Sequence, residues 1–310
     1  MPVDDERRAV LDHVEVAHIP EVTERPAPPA NPGTVGENSP APPAMPTGAP
    51  SPQYIYAIGQ VEPRFPSLEA EKEFAQATGR ADTVGLTDRQ ALQSVLADRA
   101  NRYLARQLCW TFTIEGLETY ILAPADPADL ELLVDAVRPG PRPTDVDVVL
   151  GVRGPLAPPE ACNGLVVPVV IFQQLWSFDR DELIDAIPRP DDLSDEEEQQ
   201  FGATASEVFD RIMQMADNAG ATDEHRALNY IATRYHAVYA RTAEAHRAEA
   251  SLTAIEVRPS RLSGTRKILD VILSYRDRGT DVTEKYFVRV DVTGLFPFLV
   301  TKLTPYYERT

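Results

Sequence analysis

Eleven of the chain's 28 prolines fall between Pro20 and Pro52, and the window PAPPANPGTVGENSPAPPAMPTGAPSP is almost wholly Pro, Ala, Gly, Ser and small polar residues. Each proline fixes φ and removes a backbone donor, so neither a helix nor a central strand runs through such a stretch. It has no periodic apolar face and cannot bury enough surface to offset the entropy of ordering its backbone. The expectation is an extended, polyproline-II-biased linker. Residues 1–53 are therefore set apart as an irregular proline-rich tail, and the packed structure is expected to begin at Tyr54. Within the tail, residues 4–18 fit one short helix with Val10, Leu11 and Val14 on a face. That is either a docking element on a tether or a frayed end.

Beyond the tail the hydrophobic pattern alternates between the two regular periods. YIYAIGQV reads as a strand from Tyr54, and Ser67 caps a helix that runs to Gly79. Thr87 then caps one long helix through residue 108, with Leu92, Val95, Leu96, Ala100, Tyr103 and Leu104 on one stripe. Residues 109–114 and 118–122 read as a hairpin, 127–137 as a short helix and 145–152 as a strand. In LVVPVVIFQQLWSFD, Pro168 argues against a central strand and favours an edge strand or bulge leading into a helix. Ser194 opens SDEE, a capping-box pattern. Two helices follow, over 195–218 and 223–249, forming a central hairpin. Strands are expected over 252–258, 267–276, 284–292 and 298–303. Strands and helices do not alternate in βαβ fashion, so the class is α+β with mixed or antiparallel sheets. One domain is expected in two parts: an α+β half over 54–190, then the helical hairpin and C-terminal strands over 191–310.

The formal net charge of −18 argues against nucleic acid and anionic membrane surfaces as partners. No run approaches the ~18 apolar residues of a membrane span. The first residues carry both signs of charge and no apolar signal core, so a cytoplasmic location is expected. Residues 179–198 hold ten acidic and two basic side chains, as a solvated segment or a surface for a basic partner.

Familiar catalytic signatures are missing from the sequence: the P-loop, G-x-G-x-x-G, G-x-S-x-G and H-E-x-x-H. His225 and His236 would share a helical face but stand ~16 Å apart by the helical rise, too far for one metal. Two cysteines, Cys109 and Cys162, make no disulfide framework and are expected to be reduced. Three readings are open for them. They pack as small buried hydrophobes, one is a reactive thiol, or they supply half of a four-sulfur zinc site completed across the twofold axis of a homodimer. One basic cluster stands against the acidic whole: Arg258, Arg261, Arg266 and Lys267, with no acidic residue between them. It is a candidate for holding a peptide carboxylate or acidic side chains, or for internal ion pairs with the 179–198 segment.

Several long stretches carry a family resemblance: YIYAIGQVEPRFPSLEAEKEFAQATGR, RQLCWTFTIEGLETYIL, PPEACNGL, RIMQMADNAGATDEHRALNYIATRY, VRPSRLSGTRKILDVILSY and KYFVRVDVTGLFPFLVTKLTPYY. Together, over about residues 54–310, the chain resembles the C-terminal domain of PatG-type cyanobactin maturation proteins. That resemblance implies a stand-alone copy of a domain otherwise appended to subtilisin-like proteases and macrocyclases in ribosomal peptide pathways. It implies no established reaction, and the protease catalytic residues have no counterparts here. The expected function is a non-catalytic accessory or scaffold domain that dimerises and docks a precursor peptide or a sibling enzyme. The alternatives are a peptide-modifying enzyme with an unfamiliar site, either Cys109 with a bound metal or Cys162 near Tyr and Asp partners, and a precursor fused to its own scaffold.

Overall fold

The computed structural model describes residues 52–79, 86–187, 194–213 and 217–307. The expected proline-rich tail and its docking helix lie, up to residue 51, outside the described residues. The class is α+β, as the patterning indicates.

The first part is built from β1 (Tyr54–Arg64), α1 (Leu68–Thr78), α2 (Asp88–Ala97), α3 (Arg102–Gln107), β2 (Cys109–Ile114), β3 (Leu117–Pro124), α4 (Leu130–Ala136), β4 (Asp145–Leu156) and β5 (Pro168–Asp179). Its five strands close into a barrel in the order β1-β2-β3-β5-β4. All pairs are antiparallel except β3 with β5. This is the topology of an OB-type barrel, with α4 in the β3–β4 connection and α1 to α3 inserted between β1 and β2. Closure leaves no strand edge open to another chain. Trp110, Phe112, Tyr120 and Leu122 point inward from β2 and β3 and pack with Val149, Phe172 and the helices of the insertion. The β2–β3 turn places Glu115 and Gly116 at φ 50° and 78°, the left-handed pair that a two-residue hairpin needs.

The second part comprises α5 (Arg180–Asp185), α6 (Asp195–Met213), α7 (Asp223–Arg234), α8 (Ala237–Arg247), β6 (Ala250–Pro259), β7 (Ile268–Asp277), β8 (Thr283–Asp291) and β9 (Phe298–Pro305). The four strands form an open antiparallel sheet in sequence order. Helices α6 to α8 lie between this sheet and the outer wall of the barrel. One continuous core joins Tyr56, Ile58, Val148 and Leu150 of the barrel, Leu228, Ile231, Val238 and Tyr239 of the helices, and Val271, Leu273, Val288 and Val290 of the sheet.

Three sequence expectations are corrected. Residues 168–179 are paired on both sides rather than forming an edge strand, with Pro168 at the first position, where a missing donor is tolerated, while the expected bulge and the helix after it are present. The single helix expected from Thr87 is interrupted at Asp98, whose extended backbone (ψ 125°) caps a short 3-10 turn, Arg99–Asn101. The second helix of the hairpin is also two, parted at Tyr235. Tyr235 turns its hydroxyl to accept from the Leu303 amide (2.8 Å). Helix α7 then packs on β1 and β7, while α8 packs on α6 and β6. Consequently His225 and His236 do not share a helix: His236 is the N-cap of α8.

The joint between barrel and helices is polar and largely buried. Asn229 donates to the Tyr56 carbonyl (2.7 Å) and exchanges amide hydrogen bonds with Asn218 (2.7 and 3.2 Å). The Tyr56 hydroxyl meets Thr233 Oγ1 at 2.6 Å, and burial pushes that phenol up to about 12. The Tyr56 amide donates to Gly220 O (3.0 Å), and the Tyr120 hydroxyl donates to Ala219 O (2.8 Å). Gly220 has φ 69°, and a Cβ there would lie 2.3 Å from the Tyr56 carbonyl oxygen. Glycine is thus required on both conformational and steric grounds.

Arg226 is the matching joint between helices and sheet. It is 2% exposed, and its guanidinium donates to the carbonyls of Val292 (2.8 Å), Gly294 and Leu295 (3.2 Å) while lying over the Tyr54 ring. Much of RIMQMADNAGATDEHRALNYIATRY is thereby accounted for as assembly of the fold.

Candidate functional site

The sheet has two unlike faces. One is buried on the helices. The other is covered by no element of the described chain, and there the alternation of a strand brings cations and rings together. Arg258, Asp270 and Arg289 stand in one cross-strand row, and Glu256, Ile272 and Phe287 in the next. Arg289 donates to Asp270 Oδ1 (2.9 Å) and Ser260 Oγ (3.2 Å), with its guanidinium carbon 4.7 Å from the Phe287 ring centroid. Arg258 donates to the Tyr306 hydroxyl and lies 5.0 Å over that ring. Tyr306 in turn stands edge-on to Phe287, centroids 5.4 Å apart. Ile272, although on this open side, is 1% exposed beneath that layer.

The four basic residues singled out from the sequence lie at one end of this face, but not as four free cations. Arg258 is 3.9 Å from Glu256 and is held by Tyr306. Arg266 pairs with Asp291 and stacks 5.2 Å over Phe298. Lys267 pairs with Asp223 of α7 at 2.8 Å. Arg261 is exposed, with no side-chain partner among the described residues. The carboxylates that answer this cluster are thus Glu256, Asp291 and Asp223, and none of the described residues of the 179–198 segment pairs with it. Within that segment Asp179 caps α5, accepting from the amides of Asp181 and Glu182, and pairs with Arg142. Burial by itself would raise the Asp291 carboxyl; hydrogen bonds from the Thr293 side chain and amide, then Arg266, outweigh it and hold the pKa below the ordinary aspartate value.

Arg289, Phe287 and Tyr306 were not singled out from the sequence. The signal was present in KYFVRVD, where Phe287 and Arg289 are two apart on a strand and so share a face. Tyr306 required the pairing of the last strand to be known.

Cys109 and Cys162 are bonded to each other, with Cα atoms 5.5 Å apart and a sequence separation of 53. The expectation of two reduced thiols is corrected. The bond ties the start of β2 to the β4–β5 loop, and a sulfur engaged in it offers no thiolate to a metal or a substrate. A shared zinc site on these residues would require the bond to be opened first. Among the described residues no three His, Cys, Asp or Glu side chains gather as a metal site.

A second concave region lies at the barrel rim. Gln60, Arg89, Arg138, Asp145 and Asp147 line a recess of about 170 Å³. Asp147 accepts from the Val61 amide (2.7 Å) and from Ser177. Burial dominates there, and its carboxyl is raised above the ordinary value despite those two hydrogen bonds and the field of Arg138. The aromatic residues of β2 and β3 are all turned into the core, so the barrel face used by nucleic-acid-binding OB folds offers no stacking platform here. No helix among the described residues is long and apolar enough to cross a membrane.

No curated protein matches the chain. The PatG C-terminal family matches residues 195–306, which hold the helical layer and the open sheet. A solved structure described as the PatG domain of unknown function superposes over 82% of this chain and 98% of its own, with a TM-score of 0.66 at 23% identity. The likeness therefore extends over the barrel as well, as a shared fold. The family match over residues 195–306 and the shared fold together support a PatG C-terminal-like domain.

Proposed function

We propose that this chain is an accessory domain of a ribosomal peptide pathway of the cyanobactin type. On this reading it dimerises, docks a precursor peptide or a sibling enzyme, and leaves bond-making to other proteins. The observation that carries the reading is the contrast within the sheet: one face packed on the helices, the other laid out as arginines over aromatic rings with no described element of this chain upon it. Arginine and aromatic side chains are the types enriched where proteins bind one another. Supporting it further, the buried polar residues of the family-like stretch RIMQMADNAGATDEHRALNYIATRY serve the joints of the fold.

A test combines the full chain with precursor peptides and sibling enzymes of its pathway. Co-purification with at least one of them, a native mass of two chains, and no change in the precursor's intact mass agree with the reading. A mass change produced by this protein alone contradicts it. In that case Asp147, a buried carboxyl with a raised pKa beside a polar recess, is the first residue to examine as an acid or base.

A further inference from the structure

We propose that the β6–β7 and β8–β9 loops form a docking site for an acidic peptide segment bearing an apolar anchor. The inference rests on the docking reading above and narrows it to one end of the sheet and one ligand chemistry.

Both loops lie at the same end of the sheet, because Ile268 and Phe298 each pair with Asp291. They are joined there by the Lys267 amide donating to Thr293 Oγ1 (2.7 Å) and the Val292 amide donating to Lys267 O (2.9 Å). Three large apolar side chains stand in solvent at this end: Leu262 (57% exposed), Phe296 (51%) and Phe298 (49%). Single exposed apolar residues are ordinary on protein surfaces. Here, however, the backbone presenting Phe296 is held from beneath by the buried Arg226 guanidinium, through the carbonyls of Val292, Gly294 and Leu295. A loop fixed in this way has little entropy left to lose when its side chains are covered, which is the condition for an anchor site.

Charge decides the class of partner. Neither loop, 260–267 or 292–297, contains an acidic residue, whereas the first carries Arg261, Arg266 and Lys267. Arg266 and Lys267 are already answered by Asp291 and Asp223; Arg261 is exposed beside Leu262 with no side-chain partner among the described residues. On a chain of net charge −18, an acidic ligand is repelled over most of the surface and steered to this end. Arg258, bound to Tyr306, is left outside the contact.

The test is fluorescence polarisation with the full chain and a labelled synthetic peptide of alternating glutamate and leucine. The expected result is saturable binding that weakens with added salt. It should fall at least ~10-fold in Arg261→Glu and, separately, in Phe296→Ser, a loss of one pair of charge-assisted or apolar contacts. A peptide with lysine in place of glutamate should bind at least ~10-fold more weakly. Both substitutions are at exposed side chains, and an unchanged thermal midpoint checks that the fold is intact. Binding unaltered in both variants overturns the site. Equal binding of the lysine peptide overturns the charge argument while leaving docking itself standing. Equal binding of single-stranded DNA marks a general anion sink and overturns the peptide assignment. Failure of the glutamate peptide to bind overturns the inference, whereas the docking reading falls only if the pathway's own peptides and enzymes also fail to co-purify.

Discussion

The barrel and the C-terminal sheet solve the same problem in opposite ways. Each must satisfy the edges and two faces of a set of strands. The barrel closes on itself, fills its interior with aromatic and aliphatic side chains, and turns one wall to the helices. The sheet stays open, with one face on those helices and the other occupied by Arg258, Arg289, Phe287 and Tyr306. Closure consumes contact surface; the open sheet retains it. The difference places the stabilising devices in and behind the barrel, and the surface free for contact on the sheet.

If that division is right, the largest effect should come from the disulfide and should stay within the barrel half. Cross-linking across 53 residues restricts the unfolded chain by roughly 4 kcal/mol in the chain-entropy account. The double variant Cys109→Ala, Cys162→Ala should lower the thermal midpoint by about 10 °C, at the 2–4 °C per kcal/mol of a domain this large. Binding at the sheet should be unchanged at temperatures where the variant is folded. Thiol titration of unreduced protein in denaturant should find no free thiol. Two free thiols would return the cysteines to the reduced state expected from the sequence.

Next in size is Arg226→Leu. It removes three hydrogen bonds, one to the buried Val292 carbonyl and two to the part-buried carbonyls of Gly294 and Leu295, and leaves Asp223 with Lys267 alone. Orphaned carbonyls and a broken ion pair together cost about 3 kcal/mol. Because the same residue holds the β8–β9 loop, this variant should also weaken peptide binding, which the disulfide variant should not. Differential scanning fluorimetry and the polarisation assay separate the two effects.

The smallest expected effect is a pH dependence at the barrel rim. The Asp147 carboxyl is raised in the folded chain, so the native state holds its proton more tightly than the unfolded state does. Its stabilising contribution is complete below the ordinary aspartate value of ~4 and is lost as pH rises through the folded value. Asp291, with its lowered carboxyl, has the opposite sign, contributing above the ordinary value and losing that contribution in acid. In Asp147→Asn the stability difference from the parent should therefore change as pH rises above the ordinary aspartate value, in the direction of relative gain for the variant at the higher pH. A pH-independent difference from urea melts would show that this carboxyl is not raised.

What could be read from the sequence follows the range of the interactions. Ser67 and Thr87 as caps, the hairpin at Gly116, and the four C-terminal strands depend on neighbours along the chain, and all are found. Barrel closure depends on β1 meeting β4 and on β3 running parallel to β5, pairings that leave no local trace. The break at Tyr235 was hidden for a different reason: Leu228, Ile231, Val238 and Tyr239 keep helical spacing straight across it. The basic loop was visible as a cluster, yet Asp291 and Asp223, which pair with Arg266 and Lys267, and the Tyr306 ring beneath Arg258 lie far from it along the chain.

On this reading contact occurs on the open sheet and its loop end, with the barrel as support. Amide hydrogen exchange of the full chain, with and without a co-purifying peptide or enzyme of its pathway, tests this most directly. Protection concentrated in residues 258–267 and 287–306 is the predicted result. Protection confined to the barrel, with these segments exchanging as before, would contradict it.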